Sequence, residues 1–194
     1  MTKTIEGTKI RHILYLSNFL PSKGYRDVLE MAKIETERQK KRGKKMFHFD
    51  FAGKFFDKEE EAYFHNFVKE KDLNEIVSFH GIVTGNEKRK LLIESDIFVL
   101  LSRNEGQPIS ILEAMGNGMM VVTTNVGGIP DEVTDGENGI VVDVNNIDCN
   151  RIMEQLETSL VNLEQIRRNN RTKIINAYTE TQYLENMKKV FYMN

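Results

Sequence analysis

A chain of 194 residues is long enough for one well-buried core and short for two full domains, so a single domain spanning 1–194 is the default. Hydrophobic residues make up 40% and charged residues 29%, with a formal net charge of -2. That balance excludes a disordered chain, a fibre and a strongly polyanion-seeking surface.

Apolar runs and helical patterns alternate along most of the chain. HILYLS (12–17) reads as a first strand, and after the turn FLPSKG a helical stretch, YRDVLEMAKIETERQKKR, ends near Gly43. MFHFDFAG (46–53) is a second strand with EEEAYFHNFVKEKD as its helix, and IVSFHGIV (76–83) a third followed by the short helix EKRKLLIES. DIFVLLS (96–102) is a fourth strand, PISILEAMGNG a helix, MMVVTTN (119–125) a fifth strand and GIVVDV (139–144) a sixth. From Asp148 to Asn194 the pattern is helical, and the last piece carries an apolar stripe of Tyr183, Leu184, Met187, Val190 and Phe191 that needs cover. Continuously apolar strands alternating with helices predict an α/β, doubly wound, Rossmann-like parallel sheet of about six strands, with helices on both faces and a helical C-terminal tail. Its core spans about residues 11–147.

Cys149 is the single cysteine, which excludes an intramolecular disulfide and a thiolate metal cluster and suits a reducing cytoplasm. No window reaches the roughly 18 apolar residues of a membrane span, so the expected location is cytoplasmic, with at most peripheral attachment at the inner face of a membrane. The basic run QKKRGKK (39–45) lacks aromatic interleaving and ends a helix, so it reads as a solvated helix end and not as a nucleic-acid site. His12, His48, His65 and His80 show no metal-ligand spacing such as H-E-x-x-H, and no metal site is expected. His80 is read as a structural histidine at a strand end.

In such a sheet ligands bind beyond the carboxyl ends of the strands. The dinucleotide fingerprint and the phosphate loop of nucleotide triphosphatases are both absent, leaving two glycine-bearing loops, FLPSKG and RNEGQP. In the second, Pro108 suits the first helical position, so the N–H groups of Ile109 and Ser110 would face a phosphate at the helix N-terminus, and Gly106 would admit close approach. Glu113 falls among Ile109, Ile111, Leu112, Ala114 and Met115, where a carboxylate is costly unless satisfied. Two readings fit: a pair of sugar hydroxyls, or an exposed edge on which Glu113 pairs with a lysine while Glu105 complements the helix dipole.

Glu105 and Glu113, within SRNEGQPISILEAMGNG followed by VVTTNVGGIPDEVTDGENGIVV, resemble the E-x7-E motif of GT-B glycosyltransferases of the large retaining family 4. LYLSNFLPSKGYRDVLEMA, FHFDFAG, VSFHGIV and SDIFVLLS are similar to the family's preceding strands and diphosphate loop, in the same order. The resemblance implies the C-terminal, donor-binding domain of an enzyme that transfers a sugar from a UDP-, GDP- or ADP-sugar to a glycan or lipid-linked acceptor, in polysaccharide or lipopolysaccharide synthesis. It implies that Glu105 contacts the transferred sugar and stabilises charge at its anomeric centre. Gly106, Gln107, Pro108, Ile109 and Ser110 would hold sugar and phosphates, and Glu113 the ribose hydroxyls. Lys23, with Gly24 behind it, would bind the diphosphate. Gly81, Ile82 and Val83 would lie beside the base, with Lys88 facing the nucleotide. Asn18 stands where many members carry an arginine and offers a neutral amide instead. No cofactor or metal is expected, and the acceptor-binding half is expected outside these 194 residues, as a preceding domain or a separate subunit. A nucleotide-sugar epimerase or hydrolase of the same fold, and a non-catalytic nucleotide-binding module, are the alternatives.

Overall fold

The computed structural model describes residues 9–178. Six strands form one parallel sheet in the order β3-β2-β1-β4-β5-β6: β1 Arg11–Leu16, β2 Phe47–Ala52, β3 Val77–Gly81, β4 Ile97–Leu100, β5 Met120–Thr124 and β6 Gly139–Val142. Between them run α1 Tyr25–Arg42, α2 Lys58–Glu70, α3 Gly85–Glu94, α4 Ile109–Gly116 and a single turn, α5 Ile129–Glu132. α6 Cys149–Ser159 and α7 Leu163–Ala177 follow, joined by a 3-10 turn at Leu160–Asn162. The six predicted strands and the doubly wound order are borne out. The chain moves one way from β1 to β3 and the other way from β3 to β6, so right-handed crossovers place α1 and α2 on one face and α3 and α4 on the opposite one. α6 packs on α1, and α7 on α4 and β5.

The two strands at the centre of the second half are covered on both faces: Ile97, Phe98, Val99 and Leu100 of β4 are all buried, as is the whole of β5. Under α1 and α2 the core is aromatic. Phe19, at the start of the loop after β1, stacks on Phe55 at 4.1 Å and meets Tyr25, Phe64 and Phe79 at 5.4–5.6 Å between ring centroids. The Tyr15 hydroxyl donates to the Asn18 carbonyl at 2.7 Å. These contacts fix the path of the loop that carries Lys23.

Differences from expectation lie at element ends. The apolar run 96–102 continues past β4, yet Leu101 and Ser102 leave the ladder while remaining buried, because the chain turns there to close the site. β3 stops at Gly81, so Ile82 and Val83 belong to a loop. Pro108 is not the first helical residue: it precedes α4 with extended backbone (φ -74°, ψ 105°), and the helix opens at Ile109. The turn α5, within GGIPDEV, had no helical periodicity to announce it. The expected terminal stripe, Tyr183 to Phe191, lies outside the described residues.

Buried polar groups are satisfied by specific partners. Glu35 of α1 is fully buried and accepts from the Met46 and Phe47 amides at 2.8 and 3.2 Å and from Arg42 at 2.8 Å, tying the end of α1 to the start of β2. Asp96, ahead of β4, is ion-paired with Arg11 at 3.0 Å and with Arg167 of α7, and accepts from the His12 amide at 3.2 Å.

Candidate functional site

The two loops singled out by sequence meet at the carboxyl ends of β1 and β4, where the strand order reverses. After β1 the chain makes a 3-10 turn, Pro21–Lys23, and Gly24 adopts a left-handed backbone (φ 77°) before α1. Gly24 is buried against the end of β4; a Cβ there would stand 2.2 Å from the Leu101 carbonyl oxygen. The loops are stitched directly, with the Arg103 amide donating to the Ser22 carbonyl at 2.7 Å and the Arg103 guanidinium pairing with Asp27 at 2.9 Å.

This contact sets Lys23 on Glu105. Its Nζ is 2.7 Å from Glu105 Oε1, which also accepts from Ser102 Oγ at 2.6 Å. The Glu105 side chain is only 8% exposed, a place where an unpaired carboxylate would be costly, and Lys23 and Ser102 both serve it. Ser102 is fixed in turn, since Thr124 Oγ1 donates to its carbonyl at 2.6 Å.

The backbone of Glu105 and Gly106 is pressed from the other side by the loop after β5. The Gly128 amide donates to the Gly106 carbonyl at 2.9 Å, and a Cβ on Gly127 would come 1.7 Å from the Glu105 carbonyl oxygen. Only glycine lets the two backbones approach so closely. Gln107 donates to Glu132 of α5 at 2.8 Å, and Tyr178 also hydrogen-bonds Glu132. Sequence reading assigned nothing to Ser102, Thr124, Gly127, Gly128 or Glu132; the double glycine in NVGGIPDE was the available signal.

At α4 no side chain caps the N-terminus, so the amides of Ile109 and Ser110 head the helix dipole without a side-chain acceptor. Ile109 itself is exposed, and nothing lies within 4 Å of a Cβ built on Gly106 or on Gly81, so both glycines border open space. Along α4, Glu113 follows the second of the two readings open to it from sequence, an exposed edge paired with a lysine, and is not enclosed by apolar neighbours. Its carboxylate is 33% exposed and pairs with Lys88 of α3 at 2.6 Å. The helix turns its apolar residues, Ile111, Ala114 and Met115, into the core and leaves Glu113 on the edge facing α3. Lys88 thereby bridges the region of the β3 loop, where Ile82 is exposed, to α4.

The structure thus brings Lys23, Gly24, Glu105, Gly106, Gln107, Pro108, Ile109 and Ser110 together at the switch point, with Lys88 and Glu113 joined beside them. Asn18 is exposed at the mouth of the first loop. Gly81 ends β3, the edge strand two places from β1, and Ile82 and Val83 follow it in the loop.

The histidines are less scattered than their numbering suggests. His12, His48 and His80 gather around Asp50 on the sheet face opposite α1, while His65 lies on α2. Burial lowers the pKa of His48 below its ordinary value. Burial pushes the Cys149 thiol up to about 12, which agrees with its reading as a poor nucleophile. Among the described residues no helix is long and apolar enough to cross a membrane.

Fold and site together define a doubly wound α/β domain whose polar residues converge at the switch point, with one acid on each side of an uncapped helix N-terminus. The sequence profile of the family described as Glycosyl transferases group 1 matches residues 3–173, and the chain belongs to that family. N-acetyl-alpha-D-glucosaminyl L-malate synthase of Bacillus anthracis is 31% identical over 165 residues, 84% of this chain and 39% of the relative. Among solved structures, Anabaena HepE in complex with UDP superposes with a TM-score of 0.81 at 16% identity, over 95% of this chain and 49% of that one. The C-terminal domain of a glycosyl transferase group 1 family protein, LpcC, of Francisella tularensis gives a TM-score of 0.74 at 19% identity, over 90% of this chain and 89% of that domain. The chain spans well under half the length of the curated relatives it matches.

Proposed function

We propose that this domain is the donor-binding half of a glycosyltransferase that moves a sugar from a nucleotide diphosphate sugar to an acceptor with retention. The observation that carries the reading is the pair of acids flanking the α4 N-terminus, each already held by a lysine: Glu105 by Lys23 at 2.7 Å and Glu113 by Lys88 at 2.6 Å. Family membership supports it, as do the UDP bound to HepE and the sugar-transferring name of the Bacillus relative.

Each residue then has a physical task. The diphosphate lies on the Ile109 and Ser110 amides and takes up Lys23, whose charge stabilises the departing nucleotide as it becomes more negative. Gly106, Gln107 and Pro108 let sugar and phosphate approach the backbone. Glu105 faces the anomeric centre and, with the donor's own phosphate oxygens, stabilises the positive charge that develops there. The acceptor arrives on the face the leaving group vacates, and no covalent enzyme nucleophile is invoked. Glu113 exchanges Lys88 for the ribose hydroxyls, while Gly81, Ile82 and Val83 border the base. Lys23 and the helix dipole supply the cationic charge at the diphosphate, so donor chemistry here needs no metal. The acceptor site is contributed from outside this chain, by a further domain or a separate subunit.

Titration with UDP, GDP and ADP, free and as sugar conjugates, tests the reading by calorimetry. One nucleotide binds preferentially and its binding is lost in Glu113→Ala; no binding to any of the six would overturn it. Asn18 favours a second reading, a donor-binding module without transfer, because it removes a cation from the diphosphate loop. Robust transfer after Asn18→Arg in the complete assembly, against little before, would support that reading.

A further inference from the structure

Parallel register sets alternate residues of three strands on one face of the sheet. His12 of β1 is level with His48 of β2, and Asp50, two residues on, is level with Ser78 of β3. This is the face opposite α1 and α2, and the carboxylate at its centre is buried, only 7% exposed. Asp50 Oδ2 is 2.7 Å from His12 Nδ1, and Oδ1 is 2.8 Å from His80 Nε2 and 3.8 Å from His48 Nε2. His48 Nε2 is also 2.9 Å from Ser78 Oγ. The ligating atoms of His12, His48 and Asp50 all lie within 4.8 Å of one another.

His12 and His80 each hydrogen-bond one oxygen of Asp50, while His48, 3.8 Å from the carboxylate, brings a third imidazole nitrogen to the same point of the sheet face. Two nitrogens and one carboxylate oxygen form a borderline donor set of the kind that selects zinc, cobalt or nickel over magnesium or calcium. With zinc–ligand bonds of about 2.0–2.1 Å, adjacent donors in a tetrahedral shell are about 3.3 Å apart. Asp50 Oδ2 stands 2.7 Å from His12 Nδ1, and the donor atoms of all three residues lie within 4.8 Å of one another, so side-chain shifts of about 1.5 Å or less close the shell. His80 already holds the other oxygen of Asp50, as the hydrogen-bonded surroundings of a ligating carboxylate do. An entry path exists as well. The His12 side chain is 42% exposed, and His80 lines a cavity of about 260 Å³ with Val83, Glu87, Lys90, Leu91 and Glu94.

We propose that this sheet face binds one divalent transition-metal ion of the zinc class through His12, His48 and Asp50, with His80 orienting Asp50 and the fourth position open to water. The site joins β1, β2 and β3 below the loop at Gly81 and rests on none of the roles assigned to the donor-binding residues.

The test uses the full chain, freed of any affinity tag and stripped with a chelator, titrated with Co²⁺ and then with competing Zn²⁺. The expected result is one equivalent of Co²⁺ with visible ligand-field bands that Zn²⁺ removes, and a thermal midpoint that Zn²⁺ raises. Asp50→Asn and His48→Gln lose the bands, while His65→Gln on α2 keeps them. His80→Gln, which removes the hydrogen-bonded partner of Asp50, weakens binding by about 10–100-fold, while His12→Gln, at the most exposed ligand, loses the bands and remains informative if the other two ligand variants fail to fold. Absence of ligand-field bands in the wild-type chain, or bands unaltered in folded His12→Gln, overturns the proposal.

Discussion

Replacing Gly24 by alanine, with Gly43→Ala as its matched control, isolates the packing that positions the first loop. The two glycines flank α1 and have nearly the same backbone, φ 77° and φ 73°. Both variants therefore carry the same left-handed strain of about 1–2 kcal/mol, offset by about 0.4–1 kcal/mol from the less flexible unfolded chain. They differ in what the new methyl meets. At Gly43 nothing lies within 4 Å, whereas at Gly24 the Leu101 carbonyl oxygen is 2.2 Å away. The obstacle is backbone at the end of a central strand, so the Pro21–Lys23 turn has to retreat by at least about 1 Å, an overpacking cost of about 1–3 kcal/mol beyond the shared strain. For a domain of this size each kcal/mol moves the melting midpoint by about 2–4 °C. Gly43→Ala should melt about 2–4 °C below the parent and Gly24→Ala roughly 10 °C below it, read by circular dichroism. The retreat also draws Lys23 away from Glu105, so nucleotide affinity should fall in Gly24→Ala and hold in Gly43→Ala. Midpoints within 1 °C of each other, at about the Gly43→Ala value, would refute the reasoning.

Glu113→Ala should separate binding from stability. Its partly exposed pair with Lys88 at 2.6 Å is worth at most about 1 kcal/mol, whereas charge-assisted hydrogen bonds to ribose hydroxyls are worth about 1.5–3 kcal/mol, or about 10–150-fold in nucleotide affinity. Calorimetry that finds affinity unchanged would remove Glu113 from the donor site. Glu35→Ala strands the Met46 and Phe47 amides and leaves the Arg42 guanidinium to Glu157 at 2.6 Å, and should cost about 2–4 kcal/mol in urea unfolding; a loss below 1 kcal/mol would show that water replaces the carboxylate. With its thiol pushed up to about 12, Cys149 is protonated at pH 8 in all but about one molecule in 10⁴, so iodoacetamide should label it slowly in the native chain and quickly in urea. Fast native labelling would contradict the burial.

The sheet was legible because burial on both faces leaves a continuous apolar run, as in Ile97, Phe98, Val99 and Leu100 of β4. Its ends were not. Leu101 is as apolar as Leu100, and only its contact with the Gly24 loop explains why the ladder stops before it. The acids Glu105 and Glu113 were visible from their spacing along one helix entry, but their partners were not. Lys23 is 82 positions from Glu105 and Lys88 is 25 from Glu113, separations that only the strand order makes contiguous. The same reason hid the cluster at Asp50. Local spacing motifs describe ligands on one helix or loop, whereas His12, His48 and His80 come from three strands aligned by register. Glu113 shows how a local reading misleads: its apolar neighbours in sequence point to other sides of the helix, so the cost of burial inferred for it is met in part by solvent and in part by Lys88.

The two lysine–glutamate pairs bear on how the site would work. Two carboxylates beside an anion site would repel a nucleotide diphosphate, yet each is paired here with a cation that a diphosphate or ribose site would also use. On the proposed reading binding is then an exchange of partners and not the addition of charge to a vacant cleft. Lys23 keeps Glu105 in contact while turning toward phosphate, and Ser102 remains on the carboxylate throughout. The 8% exposure of Glu105 makes this second donor matter, since a buried carboxylate left without any partner bears a desolvation cost that neither water nor a neighbour offsets. At Glu113, where a third of the side chain is exposed, no such support is needed, because water covers the acid whenever Lys88 lets go. The different burial of the two acids therefore matches the different tasks proposed for them, charge stabilisation at a reacting centre for one and reversible recognition of hydroxyls for the other.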